Sequence, residues 1–216
     1  MPSTEPTHMV ISFSPVFETE ADLAALYQAP TAGAVAKEIG LIDKYCRRFI
    51  ELSPFLCIGS LGANGRGDVS PRGGEPGFVH VLDEKHLALP DRPGNNRLDT
   101  IRNFLHQPNV GLLFFVPGFD DMLRVNGTAW ITTDASLMQR FYVNGRPPLS
   151  VIVITVEEAQ LHCPKAVRRS GLWDPARHVE RRSFPTLGEI MRDQLALKKE
   201  LSAIEDFLAR DALKLY

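Results

Sequence analysis

Apolar residues recur with two different periods along the chain, and the change of period marks where helices give way to sheet. Val35, Ile39, Ile42, Cys46, Phe49 and Ile50 follow helical spacing, and Ser53-Pro54 ends that run because the residue before a proline is driven out of the α region. Leu197, Leu201, Ile204 and Leu208 recur at i, i+4, i+7 and i+11, after Thr186 and Glu189 at capping-box spacing, so a terminal helix is expected there. Between these segments lie short apolar runs punctuated by turn residues, at 55–61, 68–70, 78–82, 86–89, 110–116, 123–130 and 151–161. Such runs read as antiparallel strands, and Asn64-Gly65 between the first two is a hairpin signal. Helices over 98–106 and 135–142 interrupt the strands without the steady alternation of a doubly wound fold. The pattern predicts a mainly β (α+β) chain, a closed or split β-barrel with helices outside. It reads as one domain: a helical extension over 1–53, a barrel over 54–175 and a helical segment over 176–216.

Composition changes this picture by exclusion. With 216 residues, 44% of them hydrophobic, the chain supports a sizeable core without cross-links. Lys and Arg total 24 against 26 Asp and Glu, so no global positive field exists to hold nucleic acid, and any anion must be held locally. Cys46, Cys57 and Cys163 are odd in number and lack CxxC spacing, which argues against a zinc knuckle or a secreted disulfide scaffold and for a reducing cytoplasm. The longest apolar run, 110–116, is far short of the ~20 residues that span a bilayer. The opening residues lack the basic and apolar regions of a signal peptide, so no membrane association is expected. Dinucleotide, P-loop, zincin and serine-hydrolase motifs are absent.

Candidate chemistry gathers in four places. Leu89-Pro-Asp-Arg-Pro-Gly-Asn-Asn-Arg97 leaves a strand and enters a helix near Leu98. Free amides at the helix start, Asn95 and Asn96 as donors and caps, and the permanent cation Arg97 would cradle a phosphate monoester; an ordinary capped helix after a Gly/Pro turn accounts for the asparagines equally well. In Asp68-Val-Ser-Pro-Arg-Gly-Gly74, Ser70 and Arg72 share one face of a strand and reach one ligand together, unless this is a solvated hairpin. Arg124 and Asn126 face opposite Leu123 and Val125, which sets a cation beside a flat ring or leaves it solvated at an edge. The stretch from His162 to Trp173 carries several cations but no basic groove with interleaved aromatics, and Cys163 beside His162 lacks an orienting partner and reads as an incidental thiol. Asn126-Gly-Thr128 is a formal glycosylation sequon inside an expected strand and is set aside.

In this order, Ser70-Pro-Arg72, Leu89-Pro90, Asn95-Asn-Arg97, Gln107-Pro-Asn-Val-Gly-Leu-Leu-Phe114 and Leu123-Arg-Val-Asn-Gly127 resemble the pyridoxamine 5′-phosphate oxidase-like family over about residues 50–175. Cys163-Pro-Lys165 is similar to a Cys-x-Lys stretch of several flavin-binding members. The resemblance implies a split barrel of about six strands that binds FMN, as a homodimer with the flavin between subunits. It also implies cofactor contacts from Asp68, Val69, Ser70 and Arg72, from backbone at Leu89 and Pro90, from Asn95, Asn96 and Arg97 at the phosphate, from Arg124 facing the ring, and from Lys165 and Trp173 closing the site. The family's Arg-rich C-terminal substrate segment has no counterpart here, so pyridoxamine phosphate is not implied as substrate. The expected activity is hydride transfer through flavin N5 to or from an unidentified small molecule, with solvent supplying the proton and no obligate catalytic side chain. A flavin-binding dimer without turnover, a scaffold that has lost its cofactor, and the same barrel holding the deazaflavin F420 or haem, with His80 or His86 as axial ligand, remain open. All of these flavin readings require Arg72 and Arg97 to converge on one cavity.

Overall fold

The computed structural model describes residues 17–214, in two compact units that divide between Ala36 and Lys37. In the first, α1 (Glu20–Leu26) starts at a capping box made by Thr19 and Asp22, and α2 (Ala32–Val35) starts at Thr31, whose side chain accepts from Ala34 N. Neither helix buries a residue.

The second unit opens with α3 (Lys44–Leu52), shorter than its apolar periodicity implies. Ile39 instead forms a bridge with Ala159, its N–H donating to the Ala159 carbonyl at 3.0 Å and its carbonyl accepting from the Ala159 N–H at 2.7 Å. Asp43 then restarts the chain as a helix by accepting from the amides of Tyr45 and Cys46. The helical spacing of Ile39 and Ile42 is therefore a coincidence of burial: Ile42 is in the core and Ile39 packs against it, but neither is helical. Burial and the neighbouring Asp43 push the Cys46 thiol up to about 12, which keeps it inert.

Seven antiparallel strands follow: β1 (Phe55–Leu61), β2 (Gly67–Gly73), β3 (His80–Val81), β4 (His86–Asp91), β5 (Asn109–Phe115), β6 (Met122–Thr132) and β7 (Ser150–His162), in the order β2-β1-β5-β6-β7-β4-β3. Alternate residues of the strands point to one cluster: Leu56 and Ile58, Leu87 and Leu89, Leu112 and Phe114, Leu123 and Val125, Ile152 and Ile154. Residues of α3, and Phe104 of α4 (Asp99–Phe104), join it. A sheet in which β1, β4, β5, β6 and β7 deliver side chains to a single core is rolled around it, and the result is a mainly β, α+β split barrel with seven strands where about six were expected. A second cluster, Ala88, Val151 and Val153 with Phe141 just beyond α5 (Ala135–Gln139), covers the outer face of β4 and β7. A bulge at Asn126/Gly127 lets β6 follow the curvature, and a Cβ on Gly127 would overlap the carbonyl oxygen of Thr155.

The barrel is split because its terminal strands do not pair with each other. β2 bonds only to β1, while β3 pairs with β4 at just two positions, His80 with Ala88 and Val81 with Leu87. Leu89, Pro90 and Asp91 therefore have β7 on one side and no strand on the other. Beyond β7 come α6 (Lys165–Ser170), single 3-10 turns at Pro175–Arg177 and Arg181–Ser183, α7 (Leu187–Gln194) and α8 (Leu201–Ala212). The capping box at Thr186 and Glu189 is present, but the apolar spacing continues across a break at which Ala196 takes φ +48°. Two helices stand where one was expected, joined by a hydrogen bond from the Thr186 hydroxyl to Glu205 (2.8 Å). Among the described residues no helix is long and apolar enough to cross a membrane.

Candidate functional site

The split between β2 and the end of β4 holds a series of connected chambers. The first, about 310 Å³, is lined by Asp68, Val69, Ser70 and Arg72 from β2 and by Asn95, Asn96 and Arg97 from the loop before α4. Arg72 and Arg97 thus face one cavity although they come from different elements. The second chamber, about 520 Å³, shares Pro71, Arg72, Asp91, Arg92 and Gly94 with the first and adds Pro90. Leu89 lines neither chamber, being fully buried in the core.

Local chemistry explains this arrangement. Pro71 lacks an N–H and is tolerated in β2 because that strand is an edge. Ser70 and Arg72 project from the same side, and Arg72 Nη1 donates to the Ser70 hydroxyl at 2.7 Å and to the Pro71 carbonyl at 3.2 Å. Among the described residues, Arg72 Nε is buried without a partner. In the loop, Asn95 Oδ1 accepts from the Arg97 amide at 3.1 Å, and Asn96 and Leu98 take φ of +55° and +58°. Neither asparagine caps α4: the capping position falls on Leu98, which has no side-chain acceptor, because two left-handed residues turn the chain one step later than the spacing implies. Arg97 pairs with Asp99 at 2.7 Å and is 74% exposed; that carboxylate holds its guanidinium proton more firmly than usual.

Charge in the first chamber is balanced: Arg72, Arg92 and Arg97 against Asp68, Asp91 and Asp99. Asp68 accepts from the hydroxyls of Ser60 and Thr100, both at 3.4 Å, and Ser60 in turn accepts from Asn103 Nδ2 at 2.9 Å, a network that ties β1, β2 and α4 together. Burial raises the Asp91 carboxyl above its ordinary range, against the pull of Arg72. Asp91 therefore gives up its charge more readily than a solvated aspartate.

Arg124, Lys165 and Trp173 stand apart from the slot within one chain. Arg124 is held by Glu158 and, at 3.4 Å, by Glu38, while Asn126 Nδ2 donates to the same Glu158 at 3.2 Å. Trp173 Nε1 donates to the Phe119 carbonyl at 2.7 Å, and Arg168 pairs with Asp120 at 2.8 Å, which pins the segment after β7 to the β5–β6 turn. Lys165 opens α6 and is exposed. Among the charged lining residues, Asp91 and Arg92 escape a sequence reading of the cofactor site; they sit inside the Leu89–Arg97 stretch, where their position between two turn residues was the available signal. His80, a candidate axial ligand in the haem reading, lines a third chamber, stacked on Phe141. His86 is engaged by Asp83 at 3.0 Å. Among the described residues no group of three His, Cys, Asp or Glu is placed to hold a metal.

Comparison with known proteins bears on the barrel. HupZ of Group A Streptococcus is 18% identical, with a TM-score of 0.45 over 55% of this chain and 91% of its own. A putative pyridoxamine 5′-phosphate oxidase of Lactobacillus delbrueckii is 17% identical, with a TM-score of 0.41 over 56% of this chain and 98% of its own. An FMN-binding protein of Syntrophomonas wolfei is 10% identical, with a TM-score of 0.42 over 54% of this chain and 88% of its own. No curated protein matches. The profile of the pyridoxamine 5′-phosphate oxidase family matches residues 42–163, from the last core residue before α3 to the end of the barrel, and the chain belongs to that family.

Proposed function

We propose that the chain binds FMN in the split of the barrel, with the phosphate in the chamber shared by Arg72 and Arg97 and the ring along the slot toward Pro90, and that it acts as a homodimeric oxidoreductase on a small molecule. The observation that carries this reading is that Arg72, on β2, and Arg97, before α4, line one cavity although they come from separate elements. A charge-assisted hydrogen bond from a guanidinium to an anionic oxygen contributes about 1.5–3 kcal/mol. Ser70, Asn95 and Asn96 add neutral donors beside it. When bound, the flavin supplies hydride chemistry at N5; the protein's part is to bind and orient it.

The balanced charges of the chamber set a condition on binding. A phosphate dianion arriving among three arginines and three aspartates favours protonation of the aspartate most ready to accept a proton, which is Asp91. A dimer is supported by exposed apolar residues on β1 and β2: Phe55, whose ring lies beside Phe115 (ring centroids 6.0 Å apart), Leu61 and Val69 are exposed. In that assembly Arg124, Lys165 and Trp173 serve the slot of the second copy.

The test begins with the visible spectrum of the purified protein and the mass of any released ligand, which separates FMN from the deazaflavin F420 and from haem. FMN titration of Arg97→Ala follows. Because Arg97 is exposed and already paired with Asp99, the low end of a charge-assisted hydrogen bond applies, about 1.5 kcal/mol, or roughly tenfold weaker binding. Unchanged FMN affinity in this variant removes Arg97 from the site. Anaerobic stopped-flow reduction with NADH and NADPH tests turnover; failure with every donor favours a flavin-binding dimer without catalysis.

A further inference from the structure

The third chamber, about 230 Å³, continues the slot, sharing Gly73, Gly74, Phe78, Pro90 and Arg92 with the second. Its most unusual feature is His80. The imidazole is stacked on Phe141, with ring centroids 4.1 Å apart and planes 24° apart, so its orientation is set by packing. Its Nδ1 is buried and has no hydrogen-bond partner among the described residues. Burial and the nearby positive charge of Arg140 both disfavour protonation, so His80 is neutral at pH 7, with one ring nitrogen donating and the other accepting.

The ionic residues at the wall select the ligand. They are Arg92, Arg140 and Glu75. Arg92 Nη2 donates to the Phe141 carbonyl at 2.6 Å, whereas no hydrogen bond or ion pair engages the Arg140 guanidinium among the described residues. The planar fork of Arg140 matches a carboxylate. The remaining wall is apolar, from Phe78, Pro76 and Val143, which favours a flat body behind the charged group.

We infer that this chamber is the substrate end of the slot and takes a small flat monocarboxylate, its carboxylate held by Arg140 and its body placed against the imidazole ring of His80. The inference rests on the flavin reading, since it is the flavin that would place a reactive ring in the adjoining chamber. His80 is on this account a specificity residue and no proton donor to the reaction.

The test uses benzoate as the probe, with inorganic phosphate and chloride at equal ionic strength as controls. The readout is the imidazole C–H proton signals of His80, assigned by their loss in His80→Phe, a change that keeps an aromatic ring against Phe141. Titrations are run with and without FMN, so the readout does not depend on the flavin. Benzoate is expected to shift these signals saturably and phosphate to shift them less. Arg140→Ala is expected to raise the half-saturating benzoate concentration about tenfold, the loss of one charge-assisted contact, while its FMN affinity equals that of the parent. Absence of a saturable shift, an equal response to phosphate, or an unchanged benzoate affinity in Arg140→Ala overturns the inference. Weaker FMN binding by Arg140→Ala also overturns it, because the chamber then belongs to the cofactor. Saturable benzoate shifts in a protein that binds no FMN sustain the anion site and sink only the flavin reading.

Discussion

Replacing Arg72 with Met separates the binding role of this side chain from any structural one, because the two predict effects of different size on two measurements. Met keeps an unbranched apolar stem in the slot and removes the guanidinium. In the ligand-free protein the change loses two hydrogen bonds, to the Ser70 hydroxyl and the Pro71 carbonyl, at roughly 0.5–1.5 kcal/mol each. It also removes a buried N–H that has no partner, which returns about 1–3 kcal/mol. The two contributions nearly cancel, so the melting temperature of the ligand-free variant stays within about 4 °C of the parent, at roughly 2–4 °C per kcal/mol for a chain of this size. FMN binding loses at least one charge-assisted hydrogen bond, about 1.5–3 kcal/mol, and weakens roughly 10- to 150-fold. Thermal melts of the ligand-free protein and fluorescence titration with FMN measure the two effects. A melting temperature more than about 8 °C lower, with FMN affinity within about twofold of the parent, would show that Arg72 holds the fold and not the cofactor.

Two further predictions test the electrostatics and the frame. Because the Asp91 carboxyl is raised in the folded chain, the folded state binds more protons than the unfolded one between the two values; stability from this group is full below the ordinary aspartate range and falls as pH rises through the raised value. FMN binding draws the same proton, so Asp91→Asn is expected to bind FMN more tightly than the parent at pH 7, with an advantage that shrinks as pH falls toward 4; a ratio of affinities that does not change with pH refutes the coupling. In the sheet, Gly127→Ala drives a Cβ into the Thr155 carbonyl and is expected to cost about 3 kcal/mol or more, whereas Gly59→Ala, whose Cβ would lie 3.6 Å from the Gly111 carbonyl oxygen, is tolerated; equal melting temperatures for the two variants contradict the bulge argument.

The strands were legible because alternation is a local property. β1, β5 and β7 each send alternate residues into the core, so the pattern at 55–61 reproduces the limits of β1, and the runs at 110–116 and 151–161 agree with β5 and β7 to within a residue at each end. β3 is shorter than its apolar run because only two of those residues find a partner on β4. Helix limits were less legible, since burial and helicity share a spacing: Ile39 is drawn out of α3 by Ala159, on a strand far along the chain. The capping box at Thr186 marked the start of α7, but nothing local announced the break at Ala196.

At the site, the sequence by itself determined the donors: Ser70 and Arg72 two apart on a strand, and Arg97 at the entrance to a helix. Only the tertiary structure decided that they face one cavity, because that depends on two sheet edges left unpaired at opposite ends of the strand order. It also decided that Arg124 is balanced by Glu158 and Glu38, that Asp91 and Arg92 join the chamber of Arg72 and Arg97, and that His80 meets Phe141. Periodicity reports which side of its own strand a residue faces, whereas a cavity is made of residues on different strands, and their meeting is set by long-range hydrogen-bond register and the curvature of the whole sheet.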